Sequence, residues 1–222
     1  MTTVPEPYPD AYFADRDGTD KKRVASFMLE KSFLQRHVSL GGVVCDVGCS
    51  TGEFLSTIGW IGERYGLELN ANAIRLAEAS GIRFDKSILT ETAFFDVVIF
   101  RGTIQHLLQP FWYIGKACEA LKPGGFIVFL ATPNANSLVY KLFNTLPALE
   151  PERNFYIPSD VTLTHVLRHA GLDVREIEYP YLASPYAKPV RDHLDFLATV
   201  LLRRRPRYAF WRNMMNLIAR KA

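Results

Sequence analysis

A chain of 222 residues, 48% of them apolar, is long enough for one well-buried domain and short for two. The opening segment MTTVPEPYPD has acids and prolines where a secretory signal needs a basic and then an apolar stretch, and no run reaches 18 apolar residues, so a cytoplasmic protein without a membrane span is expected. The net charge of +3 is unevenly spread: residues 187–222 hold nine Lys or Arg against two Asp, a split that can mark a surface for anionic partners.

Residues 19–38 place Val24, Phe27, Met28, Phe33 and Leu34 among charges, the pattern of an amphipathic helix. The stretch VVCDVGCSTGEFL, residues 43–55, reads as a buried strand at 43–47 that breaks into a small-residue loop and reopens as a helix over 52–63. Gly48 and Gly52 permit a sharp turn and close approach of a ligand, and the helix start offers unpaired N–H groups to an anion. There follow a strand at 65–69, a helix at 71–80 closed by Gly81, a strand at 82–84, a strand at 95–100, a helix at 108–121 and a strand at 125–131. A helix over 159–170, opened by Ser159 and closed by Gly171, leads to a strand at 173–179, a helix at 189–202 and a terminal strand near 211–220. Strands alternating with helices imply a doubly wound α/β sheet. Cys45, Cys49 and Cys118 are odd in number and form no metal-ligand pattern, so reduced, structural thiols are expected.

The glycine loop narrows the ligand. A dinucleotide site asks for G-x-G-x-x-G after the strand, whereas this loop is D-V-G-C-S-T-G, with Ser50 in place of the middle glycine. Glu68 ends the next strand 22 positions after Asp46, close to the spacing of about 20 at which an acid reaches ribose hydroxyls in such folds. D-x-G-x-x-x-G resembles the first motif of class I S-adenosylmethionine-dependent methyltransferases. GLELN at 66–70, FDVVIFRGTIQHLLQP at 95–110 and ALKPGGFIVFLATPN at 120–134 extend the resemblance in the family's order, over roughly residues 40–180.

The resemblance implies a Rossmann-like sheet of seven strands in the order 3-2-1-4-5-7-6, the seventh antiparallel, with helices on both faces. It also implies a single methyltransferase domain over 1–222, with an N-terminal cap helix region at 1–41 and an acceptor-pocket lid at 134–158. S-adenosyl-L-methionine is then the cofactor. Asp46 would order the loop near its amino-acid end, with Gly48, Cys49, Ser50 and Gly52 against it. Glu68, with Leu69 and Asn70, would take the ribose, and Ser87 and Ile88 the adenine, Asp85 falling slightly early for that role. Arg101 and Gly102 would line the methionine end. A cation beside a sulfonium requires an intervening anion, so Arg101 should turn to a carboxylate of the protein, the cofactor or an anionic substrate. His106 is the candidate general base, because its ordinary pKa lies near working pH. Quinone-pathway relatives commonly carry Glu before this histidine and bind a metal; Gln105 argues against one here. Asn134, Tyr140 and Tyr156 are candidate acceptor contacts, with Phe143 and Phe155 as further aromatic walls. His165 and His169 share a helical face without further ligands for a metal.

The best reading is O-methylation of a small molecule or a sugar or glycan intermediate, with a quinone or phenol O-methyltransferase as the alternative. Other classes weighed are a non-catalytic cofactor-binding protein, a nucleic-acid methyltransferase, disfavoured because R-G-T-I replaces the base-flipping turn, and a nicotinamide oxidoreductase. The basic C-terminal region suggests weak peripheral membrane contact, against the plainer reading of a helix packed on the sheet and a solvated turn. Acceptor identity and oligomeric state are left open.

Overall fold

The structure is a computed structural model that describes residues 20–222, so the expectations for the opening segment lie outside the described residues. Asp20 caps the first helix, α1 (Lys21–Gln35), by accepting from the amides of Lys22 and Arg23. Next come β1 (Val44–Val47), α2 (Glu53–Thr57), β2 (Arg64–Leu67), α3 (Ala71–Ala79) and β3 (Phe95–Arg101). A 3-10 turn at Ile104–His106 leads to α4 (Pro110–Ala120), β4 (Leu121–Pro133), α5 (Leu138–Phe143), α6 (Asp160–His169), β5 (Leu172–Glu178), α7 (Pro189–Leu202) and β6 (Met214–Lys221).

The sheet has six strands in the order β2-β1-β3-β4-β6-β5. The strands β2, β1, β3 and β4 run parallel, and β6 lies antiparallel between β4 and β5. Seven strands were expected, and the one at 82–84 is the correction. Arg83 forms a single parallel bridge with Tyr65, and the chain then leaves the edge. Asp85 turns to an ion pair with Arg83, while Ser87 and Thr90 close a tight turn on each other, so the polar run cannot extend the ladder. The helix expected over 52–63 stops at Thr57, because Gly59 follows its cap with a left-handed φ of 68°.

Alternation along the central strands explains both layers. Val98, Phe100, Ile127, Phe129 and Leu217 face one side, where Ile114 and Ala117 of α4 and Leu163 and Leu167 of α6 cover them. Val97, Ile99, Val128, Leu130 and Ile218 face the other, under Phe27, Phe33 and Leu34 of α1 and Phe54 and Leu55 of α2. Phe100 and Phe129 stack at 5.2 Å between ring centres, tying β3 to β4. A smaller cluster lies apart: Val139, Leu146, Leu149 and Tyr208, with Phe143 and Phe196 packed on it, fasten the 134–158 segment to α7. No helix is long and apolar enough to cross a membrane among the described residues.

Candidate active site

Two glycines shape the loop after β1. Gly48 and Gly52 hold φ near +75°, and a Cβ would fall 2.6 Å from the Thr103 side chain at Gly48 and 2.7 Å from Ile82 at Gly52. Neither space nor backbone tolerates another residue there. Ser50 between them is also left-handed, at 52°. The loop is tied to Glu68 at the end of β2: one carboxylate oxygen accepts from the Ser50 amide (3.0 Å), the other from those of Leu69 (2.8 Å) and Asn70 (3.1 Å). Three of about four acceptor positions on that carboxylate are filled, leaving room for one further donor. Asn70 also caps α3.

Asp46 sits in the middle of the sheet, between Gly66 and Ile99 in register, and is 2% exposed. Its Oδ1 has no hydrogen-bond partner. Burial pushes its pKa up to about 7; Arg101 pulls it down, and the negative charges of Glu68 and Glu30 add to the rise. Arg101 turns to a protein acid. It donates to both oxygens of Glu30 on α1, at 2.6 and 3.1 Å, and stacks over Phe27 (4.3 Å) and Phe54 (5.3 Å). Gly102 then turns the chain with φ at 59°. Orphan acceptors at Asp46 Oδ1 and Ser50 Oγ, with the open position on Glu68, fit a ligand that brings positive charge and hydroxyl donors.

Beside this end of the sheet lies a cavity of about 210 Å³ between α1, Arg101, Ala131, the 180–186 loop and the start of β6. Its walls are Tyr181, Tyr186 and Phe210, with the Arg101–Glu30 pair at one side. Asn213 and Asn216 also line it, 4% and 1% exposed. Both Asn213 amide atoms and the Asn216 Nδ2 lack partners, a buried polar set open to a ligand's own donors and acceptors.

The remaining candidates fall elsewhere. His106 Nδ1 lies 2.9 Å from the Arg153 carbonyl, which fixes that nitrogen as donor, and Nε2 lies 3.2 Å from the Gln105 amide nitrogen. Tyr156 meets Phe111 edge to face and reaches the Gln105 carbonyl through its amide, so it neighbours His106. Burial raises the pKa of its hydroxyl. Asn134 is fully buried; its side chain accepts from the amides of Asn136 and Asp160 and holds the chain after β4 against α6. Tyr140 packs in the small cluster on α7, outside the cavity. Ser87 caps its turn through the Leu89 amide, and Ile88 joins the core beside Cys45. The three cysteines are unpaired, and burial drives Cys45 up to about 12. His165 and His169 approach to 4.1 Å, yet no group of three or more metal-ligating side chains occurs among the described residues.

Sequence reasoning missed Glu30 and the cavity wall. The signal for Glu30 was an acid on the same helical face as Phe27, Phe33 and Leu34; for Asn213 and Asn216 it was amides at the start of an apolar strand. Tyr181 and Tyr186 lie in a loop without periodicity.

Comparisons with known proteins show the family and the fold. A ubiquinone biosynthesis O-methyltransferase of Nitrosospira multiformis is 29% identical over 171 residues, covering 67% of this chain and 70% of that protein. The fold is shared with a SAM dependent methyltransferase from Archaeoglobus fulgidus, at a TM-score of 0.60, 23% identity and coverage of 88% and 94% of the two chains. It is shared too with magnesium protoporphyrin IX methyltransferase from Synechocystis with bound SAH, at 0.60, 13% identity and coverage of 90% and 84%. The family model described as a methyltransferase domain matches residues 21–177, from α1 to the end of β5, so the chain belongs to that family and is an S-adenosyl-L-methionine-dependent methyltransferase.

Proposed function

We propose that the chain O-methylates a small, planar, hydroxyl-bearing acceptor of the phenol or quinol class, seated in the cavity walled by Tyr181, Tyr186 and Phe210. The observation that carries this reading is the pairing of aromatic walls with the unpartnered amides of Asn213 and Asn216, which suits a flat ring bearing polar substituents. The likeness to a ubiquinone biosynthesis O-methyltransferase of Nitrosospira favours a quinone-pathway acceptor over the sugar or glycan favoured by the sequence. S-adenosylmethionine supplies, when bound, an electrophilic methyl group on a sulfonium. Asp46 and the Gly48–Gly52 loop hold its charged end, and Glu68 takes a ribose hydroxyl. Arg101 and Glu30, paired, form a wall shared with the acceptor; His106 stands outside this cavity and would receive the hydroxyl proton through Nε2 only once the 150–156 loop bonded to it has shifted. Incubation with S-adenosylmethionine and a panel of catechols, monophenols, sugars and amines, read by mass spectrometry, tests it. Methylation of catechols or phenols is expected; transfer to sugars or amines alone would overturn the acceptor class.

Two cofactor predictions accompany this reading. Glu68→Ala should weaken cofactor binding about 10- to 100-fold, the worth of one charge-assisted hydrogen bond, as measured by calorimetry. An unchanged affinity would remove the ribose role. Asp46 gives a pH dependence. With its folded pKa raised to about 7, the native protein holds a proton that the unfolded chain has lost, so stability falls as pH rises from the usual carboxylate range to about 7. A cationic ligand binds the ionised form, so S-adenosylmethionine affinity should rise about tenfold between about pH 6 and 8. Asp46→Asn should flatten that rise; a profile as steep as wild type would place the titration elsewhere.

A further inference from the structure

We propose that the outer face of α7, with the arginine turn that follows it, docks the protein on anionic lipid membranes. The helix is inside out. Its buried face carries Asp192, which accepts from the Tyr181 hydroxyl (3.0 Å) and the Lys188 amide (2.9 Å), and Thr199, whose hydroxyl donates to the Asp195 carbonyl. Its apolar stripe faces outward: Val190 is 79% exposed, Leu194 62%, Leu197 57% and Leu201 81%. These four positions fall within an arc of about 60° around a helix, with Val200 and Leu202 flanking them. The periodicity left open whether the stripe packs on the sheet or faces outward, and in the structure it faces outward.

Charge complementarity selects the occupant. Arg203 turns left-handed at φ 49° and ends the helix, and Arg203, Arg204, Arg205 and Arg207 are all exposed, while Pro206 and Tyr208 are buried and anchor the turn. Arg205 is held to the Leu149 carbonyl at 2.5 Å. Between α5 and α7 runs an open groove of about 630 Å³, lined by Leu142, Phe143 and Val200 together with the three consecutive arginines. An apolar stripe edged by guanidinium groups matches acyl chains beneath anionic headgroups. A second copy of the chain matches poorly. The other end of α7 carries Lys188 and Arg191, so stripe against stripe in either direction sets cation against cation, and of the two acids on the helix Asp192 is buried and Asp195 faces Arg191 at 3.6 Å. The docking face also backs onto the cavity: Tyr181 bonds to Asp192, and Phe210 stacks on Phe196 at 4.9 Å.

Co-sedimentation of the full chain with vesicles tests the proposal without reference to the acceptor. Binding is expected to vesicles of mixed zwitterionic and anionic phospholipid at low salt, and it should be lost at high salt. Replacing Arg203→Gln and Arg204→Gln together should weaken it about thirty-fold, and Leu194→Asp with Leu201→Asp should abolish it, with transfer to a soluble acceptor unchanged. Lack of binding at low salt, equal binding to purely zwitterionic vesicles, displacement by inorganic phosphate at constant ionic strength, or a dimer whose arginine variants are unaffected would each overturn it.

Discussion

Replacing Glu30 with Ala is expected to cost about 3 kcal/mol of folding stability, far more than loss of an exposed ion pair, which is worth about 0 to 1 kcal/mol. The Arg101 side chain is 17% exposed and that of Glu30 4%, and the guanidinium packs against the rings of both Phe27 and Phe54. Without its carboxylate the cation stays in an apolar layer with two hydrogen bonds broken, and the helix that covers that face of the sheet loses its polar tie to β3. The lower end of the range for buried pairs applies because Asp46 is close enough to feel Arg101. The same coupling gives a second readout. Removing Glu30 takes away a like charge and releases Arg101 towards Asp46, so the Asp46 pKa should fall and the pH window of cofactor affinity should move to lower pH. Chemical denaturation and the cofactor Kd across pH measure the two effects. A loss below about 1 kcal/mol would mean that the pair behaves as a surface bridge. An unmoved pH profile would mean that Asp46 titrates independently of it.

The parts of the fold that were legible in the sequence are those where one residue type is forced by geometry. Gly48 and Gly52 announced the loop because a Cβ at either would collide with a neighbouring side chain. Ser159 and Gly171 bounded α6 because a hydroxyl cap and a left-handed φ of 79° each favour few residues. The helix read near 189–202 is α7, whose first turn is opened by Pro189. Elsewhere the pattern underdetermined the answer. A three-residue segment at 82–84 has too few alternating positions to distinguish a strand from a single bridge, so the strand read there from the pattern is one bridge to Tyr65. Helical periodicity in α7 identified an apolar stripe and was silent on which way it faced. For α1, counting Phe27, Phe33 and Leu34 concealed Glu30 on the same face, whose partner lies 71 residues on, in β3. The cavity wall was illegible for the same reason: it joins α1, β3, the 180–186 loop and β6, segments brought together only when β6 inserts antiparallel between β4 and β5.

His106→Ala should lower kcat about 10² to 10⁴-fold while leaving the cofactor Kd near the native value. Proton removal from the acceptor hydroxyl belongs to the transition state, so a base contributes there and little to binding. The Arg153 carbonyl, accepting from Nδ1, selects the tautomer in which Nε2 carries the lone pair, the form a base requires. That lone pair faces the Gln105 amide nitrogen, which also donates to the Gly102 carbonyl, so the contact can loosen without leaving the amide unpaired. His106 also closes the 3-10 turn that follows β3, five residues beyond Arg101, but it does not line the cavity in this conformation. The assignment therefore requires the 150–156 loop, bonded to the turn through Arg153, Phe155 and Tyr156, to shift when the acceptor enters. A pH profile distinguishes a base from a structural histidine. If His106 is the base, wild-type kcat rises with pH along one ionisation and His106→Ala loses that limb, whereas a structural role would lower kcat at all pH values and keep the profile's shape. Near-native turnover of His106→Ala would assign the proton to another group, and Glu30, a carboxylate that lines the cavity, would be the next to replace.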